Sequence, residues 1–225
     1  MSPRQCACLL LFSLLIVTGC RSNFPKEVIR GSGNVVSELR DVRGFSRVEL
    51  AGTGNVVLTQ GDSESLVIEA EDNLLPYLTS EVNGDRLILG HRDNVSLENT
   101  APIIFHVTLI DLAEVSVSGS GSITSDDLDV ENLSAYLIGT GNIALSGSVE
   151  QQRITVSGSG SYQGSDFLSQ EAWITIVGTG NVVVNAADTL NATISGTGFV
   201  QYVGNPQITQ DVSGVGGVMP IASGG

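Results

Sequence analysis

Positive charge is scarce in this chain. Its 225 residues include 10 Lys and Arg against 24 Asp and Glu, a formal net charge of −14. Beyond Arg92 the one remaining cation is Arg153, whereas eleven Asp and Glu lie beyond residue 100. Nucleic acid and anionic lipid headgroups are therefore disfavoured as partners, because their phosphates would be repelled. Histidine is scarce too. His91 and His106 stand apart and without Cys neighbours, which argues against a zinc site or a His-based triad. Aromatics make up 5% of residues and hydrophobics 41%, so an ordered core is affordable but has to be mainly aliphatic. The long apolar run from Ala7 to Val17 is too short to span a bilayer.

That run follows Arg4 and ends in small residues before a cysteine, the layout of a secretory leader. Val17-Thr18-Gly19-Cys20 resembles the bacterial lipobox. The resemblance implies cleavage before Cys20, a diacylglycerol on its sulfur and acylation of the new amino terminus, enough for firm membrane anchoring. Of the three cysteines, Cys6 and Cys8 would leave with residues 1–19, so no internal disulfide is expected. Residue 21 is Arg and not the Asp that resembles an inner-membrane retention signal, which favours the outer membrane. Residues 20–43 read as a polar tether and first repeat, 44–218 as the folded body and 219–225 as a flexible tail.

What the chain has in abundance is glycine, 27 copies, and the copies are periodic. A Gly-x-Gly punctuation recurs at Gly31, Gly52, Gly119, Gly139, Gly158, Gly178, Gly196 and Gly214. From Gly119 onward the steps are 20, 19, 20, 18 and 18 residues. Two positions before each of these corners lie Val117, Leu137, Val156, Ile176, Ile194 and Val212; four positions after lie Ile123, Ile143, Tyr162, Val182, Val200 and Val218. The intervening positions are mostly Ser, Thr, Asn or Gln. Such period-two alternation reads as half-buried strand.

Equal offsets from equal corners let equivalent strands stack in register, so the expected fold is an all-β, single-stranded right-handed parallel β-helix with about 18–21 residues per coil. A β-sandwich also gives short strands at regular spacing, but its hairpins need not keep the same offsets. The corner glycines are expected to supply positive φ, with the hydroxyl between them bonding local backbone. The 67-residue gap from Gly52 to Gly119 reads as three or four disguised coils, making eight or nine layers and a rod about 40 Å long. The stretch from Leu66 to Leu112 follows the pattern least.

These residues resemble the head GIN domain family of auto-transporter adhesins. "RGFSRVELAGTGNVVLTQGDSESLVIEAEDNLLPYLTSEVNGDRLILG" is similar to its opening, and the corners at Gly119, Gly139, Gly158 and Gly178 to its later repeats. The similarity runs from about Val42 to Gly217. It implies a right-handed parallel β-helix and an adhesin-like role. The end of the chain, "GVGGVMPIASGG", lacks the long alternating strands of a membrane barrel, so the auto-transporter half of the name is not supported.

Site residues follow from the same pattern. Asn34, Asn55, Asn142 and Asn181 each follow the second glycine of a corner; Asn142 and Asn181 are candidate ligand contacts along a polar strip, or amides bonded along the stack and interrupted by Ser122, Ser161 and Phe199. Trp173 lies one position off the inward columns and is a candidate sugar-stacking surface or a rim contact. Asp126, Asp127 and Asp129 are a weak calcium candidate, otherwise a charged loop. No catalytic residue is assigned, and no cofactor is implied.

The expected protein is lipid-anchored in the cell envelope, outer membrane in particular, facing the periplasm or the surface. Its β-helix is expected to act without catalysis as a binding or display rod for glycans or proteins. The alternatives are a polysaccharide lyase or hydrolase on the same fold, and a structural envelope protein that self-associates as a homo-oligomer. Metabolic labelling with a radiolabelled fatty acid is expected to mark the chain, and Cys20→Ala is expected to abolish the label.

Overall fold

Strands this short and one-sidedly apolar cannot bury their inner face alone. The computed structural model describes residues 27–221, and there the strands of the stacked coils bury that face in an interior shared with the windings above and below. Strands β1 (Glu27–Arg30) and β2 (Val35–Arg40) precede β3 (Arg47–Leu50) and β4 (Asn55–Gln60), which flank the first stacked corner. β5 (Ser65–Glu71), β6 (Leu78–Asn83), β7 (Arg86–His91), β8 (Val95–Glu98) and β9 (Ile104–Leu109) occupy the stretch that departs from the repeat. β10 (Glu114–Val117) returns to the stack. β11 (Ser122–Leu137), β12 (Asn142–Val156), β13 (Ser161–Ile176) and β14 (Asn181–Ile194) are each nearly a whole coil. β15 (Thr197–Val203), β16 (Gln207–Val212) and β17 (Val215–Pro220) finish it. Apart from one 3-10 turn, Leu75–Tyr77, the described elements are all strands.

The fold is an all-β parallel solenoid. Within each coil the inward–outward alternation is broken by paired exposed residues, at Asp126-Asp127 and Glu131-Asn132 in β11, so with the glycine corner a coil has three legs. The expected columns form in register. Val117, Leu137, Val156, Ile176, Ile194 and Val212 are successive partners, as are Ile123, Ile143, Tyr162, Val182, Val200 and Val218. Val156, Ile176 and Ile194 have no exposed surface. Each such side chain contributes about 1.5–3 kcal/mol by leaving water.

The reason for glycine at the corners differs from the expectation. Of the stacked corner glycines only Gly54 has a left-handed φ, 137°. What forbids a side chain is the corner beneath. A Cβ on Gly139 would overlap the carbonyl oxygen of Gly119, one on Gly158 that of Gly139, and one on Gly178 that of Gly158. The close approach carries a hydrogen-bond ladder: the N–H of Ser120, Thr140, Ser159 and Thr179 donates to the glycine carbonyl one coil below at 2.9–3.1 Å. The hydroxyls between the glycines point out of the coil; Thr140 Oγ1 donates to Ser120 Oγ at 3.2 Å, across layers and not to local backbone.

The 67-residue gap is not a run of hidden coils. β10 pairs directly with β3, and the first leg of β11 with β4, so Gly52 lies immediately under Gly119. The chain between them leaves the stack and builds downward. β7 and β9 form a further parallel floor under β3 and β4. β6 then pairs antiparallel with β7, and β5 antiparallel with β9. Five windings, from Gly119 to Gly214, make the regular part, where eight or nine were expected. The first Gly-x-Gly, at Gly31, stands outside the column, between β1, which pairs with β8, and β2, which runs antiparallel to β5. At the other end β17 carries pairing to Pro220 against β15.

Two buried polar sets hold this arrangement. Glu71, 1% exposed, accepts from Gly33 N (2.7 Å), Thr100 N (2.9 Å) and Thr100 Oγ1 (2.6 Å), tying the N-terminal strands to the loop before β9. Donation by the Thr100 hydroxyl, helped by backbone N–H groups and opposed by burial, holds its carboxyl below the usual range. In the solenoid interior Tyr162 Oη donates to Gln152 Oε1 (2.8 Å), Gln152 Nε2 to Ser169 Oγ (2.8 Å) and Ser169 Oγ to the Asn185 carbonyl (2.8 Å). The Tyr162 ring reaches across because Gly164 leaves room: a Cβ there would lie 2.7 Å from Tyr162 Cε1. Burial pushes the Tyr162 phenol far above its ordinary range.

Gly158→Ala is expected to destabilise the fold by about 1–3 kcal/mol or more, as overpacking does, whereas Ser159→Ala stays within about 0.5 kcal/mol; urea midpoints measure both. The depressed carboxyl of Glu71 stabilises the fold above its unfolded-state pKa, and this contribution is lost as pH falls through the folded value. Glu71→Gln is thus expected to lower the melting temperature at neutral pH, with the gap to wild type closing in strong acid.

Candidate functional site

The residue after each corner's second glycine starts the first leg and faces outward, because the next residue belongs to the buried Ile123–Ile143–Tyr162 column. Asn55, Ser122, Asn142, Ser161, Asn181 and Phe199 therefore form one vertical row. The serines do not interrupt it. Ser122 Oγ donates to Asn55 Oδ1 at 2.7 Å, Ser161 Oγ to Asn142 Oδ1 at 2.6 Å, and Phe199 N to Asn181 Oδ1 at 3.2 Å. Each Asn thus spends its carbonyl oxygen on the coil above, and among the described residues none of the three amide Nδ2 groups has a protein acceptor. Asn34 is elsewhere: its amide donates to Asp72 at 2.9 Å.

Beside the lower part of this row, the loop before β9 comes up against the corner. Thr53, Asn55, Asn99, Ser120, Ser122 and Asn142, with Pro102 and Ile103, line a shallow depression of about 380 Å³. No lining residue is charged. Asn55 and Asn142, read from the repeat, are brought together here; Asn181 lies farther up and outside it. Asn99 was not foreseen, because it falls in the stretch where the repeat gives no register.

Trp173 lies on the outer side of the third leg, in the row Glu114, Ser134, Arg153, Trp173 and Asn191. Arg153, one coil below, places its guanidinium carbon 5.3 Å from the Trp173 ring centre, a cation–π contact. One face of the indole is thereby occupied by the chain itself. Lower on this side Arg86 Nη1 joins Glu114 Oε1 (2.6 Å) and Glu49 Oε2 (3.4 Å), and the Glu114 partnership raises the Arg86 pKa.

The acidic cluster does not converge. Asp126 and Asp127 are exposed at a bend, and Asp129 accepts from Ser148 Oγ at 3.0 Å. Among the described residues no three His, Cys, Asp or Glu are grouped to hold a metal ion. His91 Nδ1 lies 3.0 Å from the Arg92 carbonyl and His106 Nε2 3.6 Å from Glu69, so the two imidazoles have separate partners. Cys20 and the leader lie outside the described residues. Among the described residues no helix is long and apolar enough to cross a membrane.

Solved structures share this architecture. A putative adhesin from Bacteroides fragilis aligns at TM-score 0.71 with 21% identity, covering 86% of this chain and 100% of its own. A putative lipid binding protein from Parabacteroides distasonis aligns at 0.58 with 20% identity, over 87% and 100%. A putative adhesin from Parabacteroides merdae aligns at 0.51 with 19% identity, over 87% and 99%. At these identities the likeness concerns the fold. No curated protein matches the chain. The model of one family, described as "Putative auto-transporter adhesin, head GIN domain", matches residues 44–206; the chain belongs to that family.

Proposed function

We propose that this chain is a non-enzymatic, adhesin-type protein of the cell envelope that binds neutral glycans along its glycine corners. The observation that carries the proposal is the uncharged depression at Asn55, Asn99, Ser122 and Asn142. The Asn55 and Asn142 amides, whose donors have no protein acceptor among the described residues, set beside hydroxyls on a rigid stack, match the alternating donors and acceptors of sugar hydroxyls; the Asn99 amide is held by the Ala101 carbonyl at 2.7 Å. A rigid row also loses little ordering entropy on binding. The net charge of −14 favours neutral over acidic sugars.

Support for a binder over a lyase or hydrolase comes from the adhesin names of the family and of two of the structural neighbours. The engagement of Glu49 and Glu114 with Arg86, and of Asp129 with Ser148, supports it too. Attachment through lipid on Cys20, and residence at the outer membrane, rest on the lipobox resemblance. Asn181 and Trp173 lie away from the depression and act as secondary contacts, Trp173 through the ring face that Arg153 leaves open.

On a glycan array the purified protein is expected to retain neutral oligosaccharides in preference to uronate-containing ones. Asn55→Ala with Asn142→Ala is expected to weaken binding at least tenfold, about 1.4 kcal/mol, while Asn181→Ala has a smaller effect. Turnover of any polysaccharide by the wild-type chain would overturn the proposal.

A further inference from the structure

The two ends of the solenoid differ. At the lower end β6, β5 and the 3-10 turn cover the core, and Leu74, Leu75 and Leu78 are buried there, although β2 and β6 are themselves edges with one neighbour each and β2 exposes Leu39 at 73%. At the upper end nothing among the described residues covers the last rung. β16 has β14 as its one neighbour and β17 has β15, so each presents an unpaired backbone edge. The core columns run out in the open. Ile208, above fully buried Leu190, is 41% exposed; Val212, above fully buried Ile194, is 37% exposed; on the rim, Met219, which stacks on Gln201, and Ile221 are each 38% exposed.

Charge distinguishes this end from the lower one, where β1 and β2 carry Glu27, Arg30, Glu38 and Arg40. In a chain of net charge −14, residues 207–221 carry a single charged side chain, Asp211. Two copies meeting along their flanks would bring carboxylates together, whereas two upper ends meet with little repulsion.

We infer that the upper rung is a self-association surface that joins two copies of this chain end to end about a two-fold axis. The two-fold sets edge strands of the two copies antiparallel, so that free N–H and C=O groups on β16 and β17 pair while Ile208, Val212 and Met219 leave water. A two-fold contact is isologous and uses the upper rung of both copies, so it stops at two chains instead of growing into a filament. This association is independent of glycan recognition at the corners, and either can hold without the other.

The test is the mass of the full-length protein in detergent, by sedimentation with the detergent contribution subtracted. Twice the chain mass is expected. Ile208→Lys with Val212→Lys is expected to return the single-chain mass with the circular-dichroism strand signal retained, while Thr193→Lys, on the flank one coil lower, keeps the doubled mass. Should the double variant unfold, Met219→Lys gives the same reading from the rim of the rung. A single-chain wild type overturns the inference, as does a doubled mass that survives the upper-rung substitutions. A ladder of higher masses overturns the two-fold closure. A different protein bound in equal amount to a single chain, and displaced by the upper-rung substitutions, overturns the choice of a second copy.

Discussion

The whole body depends on how closely one glycine corner can sit on the next. Strand pairing fixes the vertical spacing at about 4.8 Å, and at the corner the carbonyl of the lower glycine occupies the space where a Cβ of the upper one would be. Only because that atom is missing do Ser120, Thr140, Ser159 and Thr179 reach the glycine carbonyls beneath them. Those hydrogen bonds fix the register of the flanking legs. Register in turn determines that Val156 falls under Ile176 and Ile176 under Ile194. A slip of one residue would turn every leg inside out.

The corner also explains the outward polar row. The residue that leaves it faces outward at the same height in every coil, so a row of amides and hydroxyls is a by-product of the packing rule. Bonding within the row uses the Asn oxygens and leaves the N–H₂ groups without a protein acceptor among the described residues. The pocket arises where that regular row meets an irregular loop, carrying Asn99 and Pro102.

This division sets what could be read from the chain itself. Columns, strand faces and the outward position of Trp173 were legible, because each depends on counting residues from a repeated corner. The cause of the glycines was misread: short-range reasoning looks to φ, whereas the constraint comes from a residue about 20 positions away. The stretch from Leu66 to Leu112 was illegible because its strands pair antiparallel or build below the stack, and hairpin pairing follows no fixed step. Asn99 was lost with it. Arg153 gave no sign of its aromatic partner, since the two are 20 residues apart and adjacent only after winding.

The interior chain of Tyr162, Gln152, Ser169 and the Asn185 carbonyl threads three consecutive windings. Elsewhere the windings are near copies, and a gene could lengthen or shorten such a body by duplicating or dropping one unit. Here that freedom stops. Removing or inserting a unit between Gln152 and Asn185 would strand a phenol and a carboxamide in a dry interior, whereas a unit gained or lost above or below these three windings leaves the network whole.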